Sequence, residues 1–151
     1  MIKFESSKNT LLLSSDKSLL NIDFVHKNLT KSYWSTGIPR ETVEKAIENS
    51  MALGLYLNKV QIGFCRIITD LSTFAYLADV FISDKYQGNG YAVWMTEEIQ
   101  KIPELQGLRR WVLATRDAHS LYEKSGWKPM ENPQFFMEIV NRDIYLKNQE
   151  C

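Results

Sequence analysis

A glycine-rich turn in the middle of the chain has the residue types of a phosphate-binding site. The stretch Asp84-Lys85-Tyr86-Gln87-Gly88-Asn89-Gly90-Tyr91-Ala92 joins a strand-like run to a helix-like run. Glycine lets the backbone come close to a ligand, and the free N–H groups at the start of a helix attract phosphate oxygens. The spacing matches neither G-x-G-x-x-G nor G-x-x-x-x-G-K-[ST]. We therefore predict a phosphate or pyrophosphate site of a third kind.

A single carboxylate interrupts the strand pattern before this turn. The run Phe74-Ala75-Tyr76-Leu77-Ala78-Asp79-Val80-Phe81-Ile82 is otherwise apolar, aromatic and β-branched, as expected of a strand inside a sheet. Because burying an unpaired carboxylate is costly, Asp79 must be hydrogen-bonded, ion-paired or open to a wet cleft. Two interpretations stay open. Asp79 forms a structural ion pair or capping bond, or it acts in catalysis by binding an ammonium group or taking its proton, directly or through water.

Two stretches together resemble the motifs of one enzyme family. Gln87-Gly88-Asn89-Gly90-Tyr91-Ala92 resembles the Q/R-x-x-G-x-G/A motif of the GNAT N-acetyltransferases, whose backbone amides bind the pyrophosphate of acetyl-CoA. Ala118-His119-Ser120-Leu121-Tyr122-Glu123-Lys124-Ser125-Gly126-Trp127 is similar to the A-x-x-L-Y-E-K-x-G-F segment of the same family. The two motifs cover roughly the C-terminal half, and the N-terminal half agrees only in the order of its elements.

The resemblance implies acetyl-CoA as co-substrate and no metal. It places the pyrophosphate on the turn from Gln87 to Ala92 and the pantetheine arm beside the backbone of the preceding strand. In the family an asparagine often stands where this sequence has Thr115, whose shorter side chain puts that pantetheine contact in doubt. The cofactor-binding residues that we expect are Val80, Phe81, Ile82, Gln87, Gly88, Asn89, Gly90, Tyr91, Ala92 and Thr115.

Tyr122 is the predicted catalytic acid. It lies one helical turn after Ala118 and next to Leu121, so on a helix it shares their inward-facing side. The residue could be a core tyrosine whose hydroxyl bonds a neighbour. The resemblance implies instead that its O–H stabilises and protonates the departing thiolate of CoA.

Four further residues are predicted to bind the acceptor. In the family the first helices and their link wall the acceptor channel, which implies that Tyr33 and Trp34 lie near it, where aromatic rings can enclose an amine or hold a cation. Simple packing of the link onto the sheet is the alternative. Arg116 and His119 would flank the thiol end of the cofactor path, although a solvated helix start also explains both.

The elements that must position these residues follow a regular order. Apolar spacing and turn residues predict β-α-α-β-β-β-α-β-α-β. This order predicts an α/β fold with a mixed central sheet of about six to seven strands and helices on both faces, which matches the GNAT arrangement. The predicted strands are 10–13, 53–57, 60–68, 74–82, 109–115 and 135–140. The helices follow Asp16, Pro39, Gly90 and Asp117, and Gly126 ends the last one.

Length, composition and charge limit the domain organisation, the binding partners and the location that we expect. The 151 residues are 44% hydrophobic and predict one domain, 1–151, with 141–151 as a loose tail. A formal net charge of zero argues against nucleic-acid binding. The N-terminus lacks a signal-peptide core and no window has about 20 apolar residues, which predicts a cytoplasmic protein without a membrane partner. Cys65 and Cys151 are far apart, so we expect neither a disulfide nor a metal site.

The resemblance to the GNAT family implies an acetyl-CoA-dependent N-acetyltransferase that acts on an amine of a small molecule or peptide. Two alternatives remain: an acyl-CoA-binding regulatory module without efficient turnover, and a transferase of a longer acyl group. The sequence leaves a homodimer possible.

Overall fold

The computed structural model describes residues 2–146. Six strands in this part of the chain form one sheet, and four α-helices pack against it. The strands are β1 (Glu5–Lys8), β2 (Leu11–Ser14), β3 (Met51–Leu57), β4 (Val60–Thr69), β5 (Phe74–Ile82) and β6 (Arg110–Leu113). The helices are α1 (Ile22–Lys31), α2 (Arg40–Glu48), α3 (Tyr91–Glu98) and α4 (His119–Glu123).

The strands lie side by side in chain order, from β1 to β6. Neighbours run antiparallel up to β5, whereas β6 is parallel to β5 because the chain crosses over through α3. The β3–β4 hairpin turns at Asn58 and Lys59, which both have positive φ (49° and 69°), as a two-residue hairpin turn requires. The predicted strands 53–57 and 60–68 are therefore confirmed as the two arms of a hairpin.

The two faces of the sheet carry two separate apolar cores. Val25 and Leu29 of α1 and Val43 of α2 pack with Phe64 on one face. Met95 of α3 packs on the other face, in a cluster that includes Leu53, Leu55, Ile62 and Cys65. Side chains alternate between the faces along each strand, so both faces need a covering layer. The predicted mixed sheet with helices on both faces is confirmed.

Several predicted boundaries at the N-terminal side are wrong. The polar run 5–8 forms β1, which the sequence pattern did not indicate, because it pairs with the apolar β2. The first α-helix begins only at Ile22, where the side chain of Asn21 accepts from Phe24 N–H. The Ser-Ser-Asp run starts instead a short 3-10 turn at Lys17–Leu19, and Leu19 is exposed.

The C-terminal part departs most from the prediction. Residues 135–140 were expected to form a strand, but a 3-10 turn ends at Phe135 and residues 136–140 pair with no strand of the described chain. Consequently β6 is the last strand of the sheet among residues 2–146, although its nearly continuous apolar sequence is typical of a central strand. Of the predicted loose tail, residues 142–146 form turns and 147–151, with Cys151, lie outside the described residues.

Within residues 2–146, no helix is both long and apolar enough to cross a bilayer. The same residues contain no group of three or more His, Cys, Asp or Glu side chains arranged to hold a metal ion. Cys65 is fully buried in β4 and free, and burial raises the pKa of its thiol to about 12.

Candidate active site

The sheet opens between its last two strands. β6 pairs with β5 only from Phe74 to Leu77, where Leu77 lies opposite Leu113. β5 continues to Ile82 and stays paired with β4 on its other side. Main-chain N–H and C=O groups of residues 78–82 that face β6 therefore meet no strand of residues 2–146, and this open edge includes Val80, Phe81 and Ile82.

A β-bulge lies at the start of this open edge. Arg66 of β4 pairs with Ala78 and Phe64 pairs with Phe81, so two residues of β5 stand opposite the single residue Cys65. One of the two is Asp79, whose φ of 55° is in the left-handed region. A bulge re-aims side chains, and left-handed backbone at a residue other than glycine is frequently held at functional sites.

The glycine turn leaves several amides without partners. Gly88 and Gly90 have φ of 80° and 78°, which an L side chain tolerates poorly. Among the described residues, the N–H groups of residues 88–93 donate to no backbone or side-chain acceptor. A Cβ atom built at either glycine meets no other atom within 4 Å. The turn is thus an open concave surface of N–H donors at the start of α3, where the helix dipole favours an anion.

The polar side chains of the turn hold its shape. Gln87 Nε2 donates to the backbone oxygen of Ile82 at 3.0 Å and so ties the turn to the end of β5. Asn89 Nδ2 donates to the backbone oxygen of Tyr86 at 3.0 Å. Since the side-chain amide of Gln87 is directed at the main chain, its contribution to the predicted cradle is to fix the loop.

Tyr122 is half-buried on α4, and its hydroxyl makes no hydrogen bond to another described residue. Its ring packs edge-on against Trp127, with centroids 6.2 Å apart. Burial raises the pKa of Tyr122 to about 12. A core tyrosine would normally bond a neighbour, so the unpaired hydroxyl favours a ligand partner.

Asp79 is ion-paired rather than free. Arg66 Nε donates to Asp79 Oδ2 at 2.9 Å, and the two side chains are only 17% and 13% exposed. Trp34 Nε1 donates to the other oxygen, Oδ1, also at 2.9 Å. The link between α1 and α2 is thereby fastened to the bulge, and the guanidinium neutralises the carboxylate.

The same link also reaches the loop after β6. The hydroxyl of Tyr33 accepts from Arg116 N–H at 3.0 Å, and the Arg116 guanidinium lies 3.9 Å from the centroid of the Tyr33 ring. Tyr33 therefore bridges the mouth of the opening between β5 and β6. His119 is exposed at the start of α4 and has no side-chain hydrogen bond to a described residue.

Thr115 lies in the loop before α4, where its Oγ1 accepts from Ala118 N–H at 3.0 Å. The helix was predicted to follow Asp117, but it begins at His119 and no side chain caps it. The carboxylate of Asp117 pairs instead with Arg116 at the surface. The Thr115 hydroxyl can still donate to a ligand.

A cavity of about 150 Å³ lies on the face of the sheet covered by α1 and α2. Trp34, Arg66, Asp79 and the half-buried Tyr145 contribute to its lining. A second cavity of about 290 Å³, near Lys17 and Thr69, contains none of the motif residues. The structure thus brings together Tyr33, Trp34, Asp79 and Arg116.

Three residues of this region escaped the sequence analysis. Arg66 was hidden in an apolar strand pattern, and Tyr145 in the predicted tail. Tyr76 lies close to Asp79 and Arg66, and the pKa of its hydroxyl is raised, first by burial and then by the charge of Asp79. Arg66 is the only charged residue of β4, and this was the one weak signal in the sequence for its role.

The sequence profile of the acetyltransferase (GNAT) domain matches residues 43–129 of this chain. The chain belongs to the GNAT family. A GNAT-family acetyltransferase structure from Xanthomonas campestris is 40% identical, with a TM-score of 0.85 over 89% of this chain and 96% of that one. A protein of Gibberella zeae that is named an acetyltransferase is 30% identical to this chain, and the alignment covers 79% of each protein.

More distant GNAT structures share the fold. One from Elizabethkingia anophelis, determined with acetyl-CoA bound, is 13% identical, with a TM-score of 0.64 over 82% of this chain and 80% of that one. The family resemblance drawn from the two sequence motifs is therefore confirmed. The roles of the individual residues in this GNAT protein remain predictions.

Proposed function

We propose that this GNAT protein is an N-acetyltransferase that moves the acetyl group of acetyl-CoA directly to an amine of a small molecule or peptide. The observation that carries the proposal is the opening between β5 and β6, which begins at the bulge and ends at a turn of unpaired amides. Two solved GNAT neighbours hold acetyl-CoA, which supports the same co-substrate here. The predicted cytoplasmic location stays a prediction.

Coenzyme A fits the groups that the chain offers. The free N–H groups of residues 88–93 would hold the pyrophosphate, for which the open space at Gly88 and Gly90 leaves room. The unpaired edge of β5, from Val80 to Ile82, would bond the amide groups of the pantetheine arm as a missing strand would. On the opposite side of the opening, the hydroxyl of Thr115 would donate a hydrogen bond to the pantetheine arm.

Tyr122 would assist the departure of the thiolate. When bound, acetyl-CoA supplies the thioester that the amine attacks, and main-chain N–H groups around Val80 would polarise its carbonyl. The pKa of Tyr122, about 12, lies above the value near 8.5 of an ordinary thiol, so complete proton transfer is uphill. Hydrogen-bond donation to the developing negative charge on sulfur is therefore the main contribution of this hydroxyl.

Asp79 would orient the acceptor. Because Arg66 neutralises its charge, the carboxylate attracts an ammonium ion only weakly. Each of its oxygens accepts one observed hydrogen bond and has room for another. We propose that it accepts a bond from the N–H of the uncharged amine, which directs the nitrogen lone pair at the thioester, while the proton lost after attack passes to water.

The acceptor would enter through the cavity beside Asp79. Its volume of about 150 Å³ is small for a ligand site, which favours a compact amine or the end of a longer chain. Trp34 and Tyr145 supply aromatic walls, and His119 and Arg116 would act further out, on the rim.

The test is an assay of CoA release from acetyl-CoA with a panel of amines, polyamines, amino acids and peptides. The proposal expects turnover with at least one acceptor and covalent acetylation of its nitrogen by mass spectrometry. Tight acetyl-CoA binding without turnover would favour the regulatory module, and faster turnover with propionyl-CoA or succinyl-CoA would favour the longer acyl group. No binding of any acyl-CoA would refute all three.

A further inference from the structure

The cavity beside Asp79 combines one ion pair with apolar walls. Within residues 2–146, Arg66 and Asp79 are the only charged residues that line it. An ion pair as buried as this one adds little net stability, because the loss of hydration offsets the attraction between the charges. The pair is therefore better explained by a ligand than by stability. Apolar side chains form most of the other walls: Leu29, Ile38, Val43, Ala46, Ile47 and Phe64.

Arg66 uses only part of its guanidinium group to bind Asp79. Its Nε donates to Asp79 Oδ2 at 2.9 Å, whereas its two Nη atoms donate to no acceptor within residues 2–146. Neither Nη atom is among the buried side-chain atoms that lack a partner in that part of the chain, so both are accessible. Two accessible NH2 groups in one plane can bind a carboxylate through parallel hydrogen bonds. Arg66 thus offers an anion site directly beside the carboxylate of Asp79.

The two charged groups together match a ligand that carries an amine next to a carboxylate. Asp79 can accept a hydrogen bond from the amine, and the Nη atoms of Arg66 can donate to the carboxylate. Because the two side chains are in contact, the amine and the carboxylate of the ligand must also be close together, as they are on the α-carbon of an amino acid. A simple monoamine would leave the Nη atoms without a partner, and a polyamine would bring a second positive charge towards Arg66.

We propose that the acceptor is the α-amine of a free amino acid with a compact apolar side chain, an inference that rests on the proposed function and specifies its substrate. Arg66 binds the carboxylate, Asp79 orients the amine, and the side chain enters the apolar part of the cavity of about 150 Å³. During transfer, the amine nitrogen forms a bond to the acetyl carbon and the C–S bond of the thioester breaks. One proton leaves the nitrogen for water and the sulfur takes one from water, which gives an N-acetyl amino acid and CoA.

The first test removes the carboxylate from the acceptor. CoA release by the wild-type protein is compared for leucine, leucinamide and 3-methylbutylamine, with rates expressed per mole of uncharged amine because the three amines differ in pKa. The kcat/KM for leucine should be at least about 10-fold higher than for the other two, as expected for charge-assisted hydrogen bonds. Equal or faster turnover without the carboxylate would overturn this inference and leave the proposed function intact. Turnover of no amine at all would overturn the proposed function, and this inference with it.

The second test changes Arg66 and measures the ratio of kcat/KM for leucine to kcat/KM for leucinamide. Arg66→Gln should bring the ratio to about one, because glutamine can still donate to Asp79 but has neither the charge nor the paired NH2 groups. Arg66→Lys keeps the charge and should lower the ratio only in part. Arg109→Gln is the matched control, since Arg109 is exposed and does not line the cavity, and it should leave the ratio unchanged.

The ratio separates recognition from structure. If Arg66 only supports the fold, its variants lower turnover of both acceptors equally and keep the wild-type ratio, which would overturn the inference. Should Arg66→Gln fail to fold, Arg66→Lys decides: a ratio at least about 3-fold below wild type supports carboxylate binding by the NH2 groups, and a wild-type ratio overturns it.

The third test reduces the apolar part of the cavity. Ala46 lies on α2 and lines the cavity, and leucine is a good helix former, so Ala46→Leu adds volume there without disturbing the helix. The variant should lose more kcat/KM with leucine than with alanine as acceptor. An equal effect on both acceptors would overturn the placement of the substrate side chain in this cavity.

Discussion

The two sides of β5 differ in a way that separates structure from function. Towards β4, pairing extends from Ala75 to Ile82, interrupted only by the bulge at Asp79. Towards β6, pairing ends after Leu77 and Leu113. The closed side is covered on both faces by buried side chains, whereas the open side meets no strand of residues 2–146 and leads to a turn whose amides have no partner in that part of the chain.

This difference indicates how a sheet can hold a ligand without losing its stability. A strand with one satisfied edge stays in place, and its other edge can then accept an extended ligand in place of a strand. Substitutions on the closed side should therefore lower stability, and substitutions on the open side should lower binding or turnover.

The largest effect is expected in the closed part of the sheet. Leu53 on β3 is completely buried, so Leu53→Ala should lower the free energy of unfolding by about 2–5 kcal/mol. Urea unfolding followed by circular dichroism measures the change. The kcat of the folded fraction should remain within a factor of two, and a large loss of kcat would show that the two parts of the sheet are not separable.

Tyr122→Phe should lower kcat by about 100-fold or more, because it removes the O–H that stabilises the leaving thiolate. Steady-state assays with the best acceptor of the amine panel measure it. Affinity for acetyl-CoA and thermal stability should stay close to wild type, since the hydroxyl has no described partner. An unchanged kcat would assign Tyr122 to the core.

Asp79→Asn should lower kcat/KM for the amine by roughly 10-fold, as expected from the loss of one charge-assisted hydrogen bond. Asparagine tolerates the left-handed backbone at this position, so the bulge is retained. The pH profile of kcat/KM separates the two possible roles. If Asp79 orients the amine, the variant keeps the shape of the wild-type profile. If Asp79 is a general base, the variant loses the decrease in kcat/KM at acidic pH. If neither kcat/KM nor the profile changes, Asp79 is purely structural.

The smallest effect is expected from alkaline pH. Because the pKa of Tyr122 is raised to about 12, its donating form persists throughout the neutral and mildly alkaline range and is lost only as pH rises through that value. The logarithms of kcat for wild type and Tyr122→Phe should therefore run parallel from pH 7 to about 10. Convergence of the two curves below pH 10 would mean that the hydroxyl ionises earlier.

The sequence predicted what depends on neighbouring residues. The glycine turn, the helix after it and the Asn58-Lys59 hairpin are set by local backbone requirements, and all three occur in the structure. Asp79 could also be recognised from the sequence as an unusual residue, because a carboxylate in an apolar strand needs a hydrogen bond or an ion pair.

What depends on distant contacts could not be predicted. The partner of Asp79 is Arg66, on the neighbouring strand across a bulge, and no local pattern reveals a register shift. Tyr145 reaches the cavity only through the path of the C-terminal segment. Residues 135–140 have the composition of a strand, but composition does not say whether an edge of the sheet is available to pair with them.

The central claim is that the turn at Gly88 and Gly90 binds the pyrophosphate of acetyl-CoA, and titration calorimetry on ligand-free protein tests it most directly. Wild type should bind acetyl-CoA with a Kd between about 1 μM and 1 mM, the usual range for enzyme substrates. Gly88→Val with Gly90→Val should abolish binding by filling the open space, whereas Gly107→Val, at an equally open glycine of φ 82°, should bind normally. Undetectable binding by wild type, or unchanged binding by the double variant, would contradict the claim.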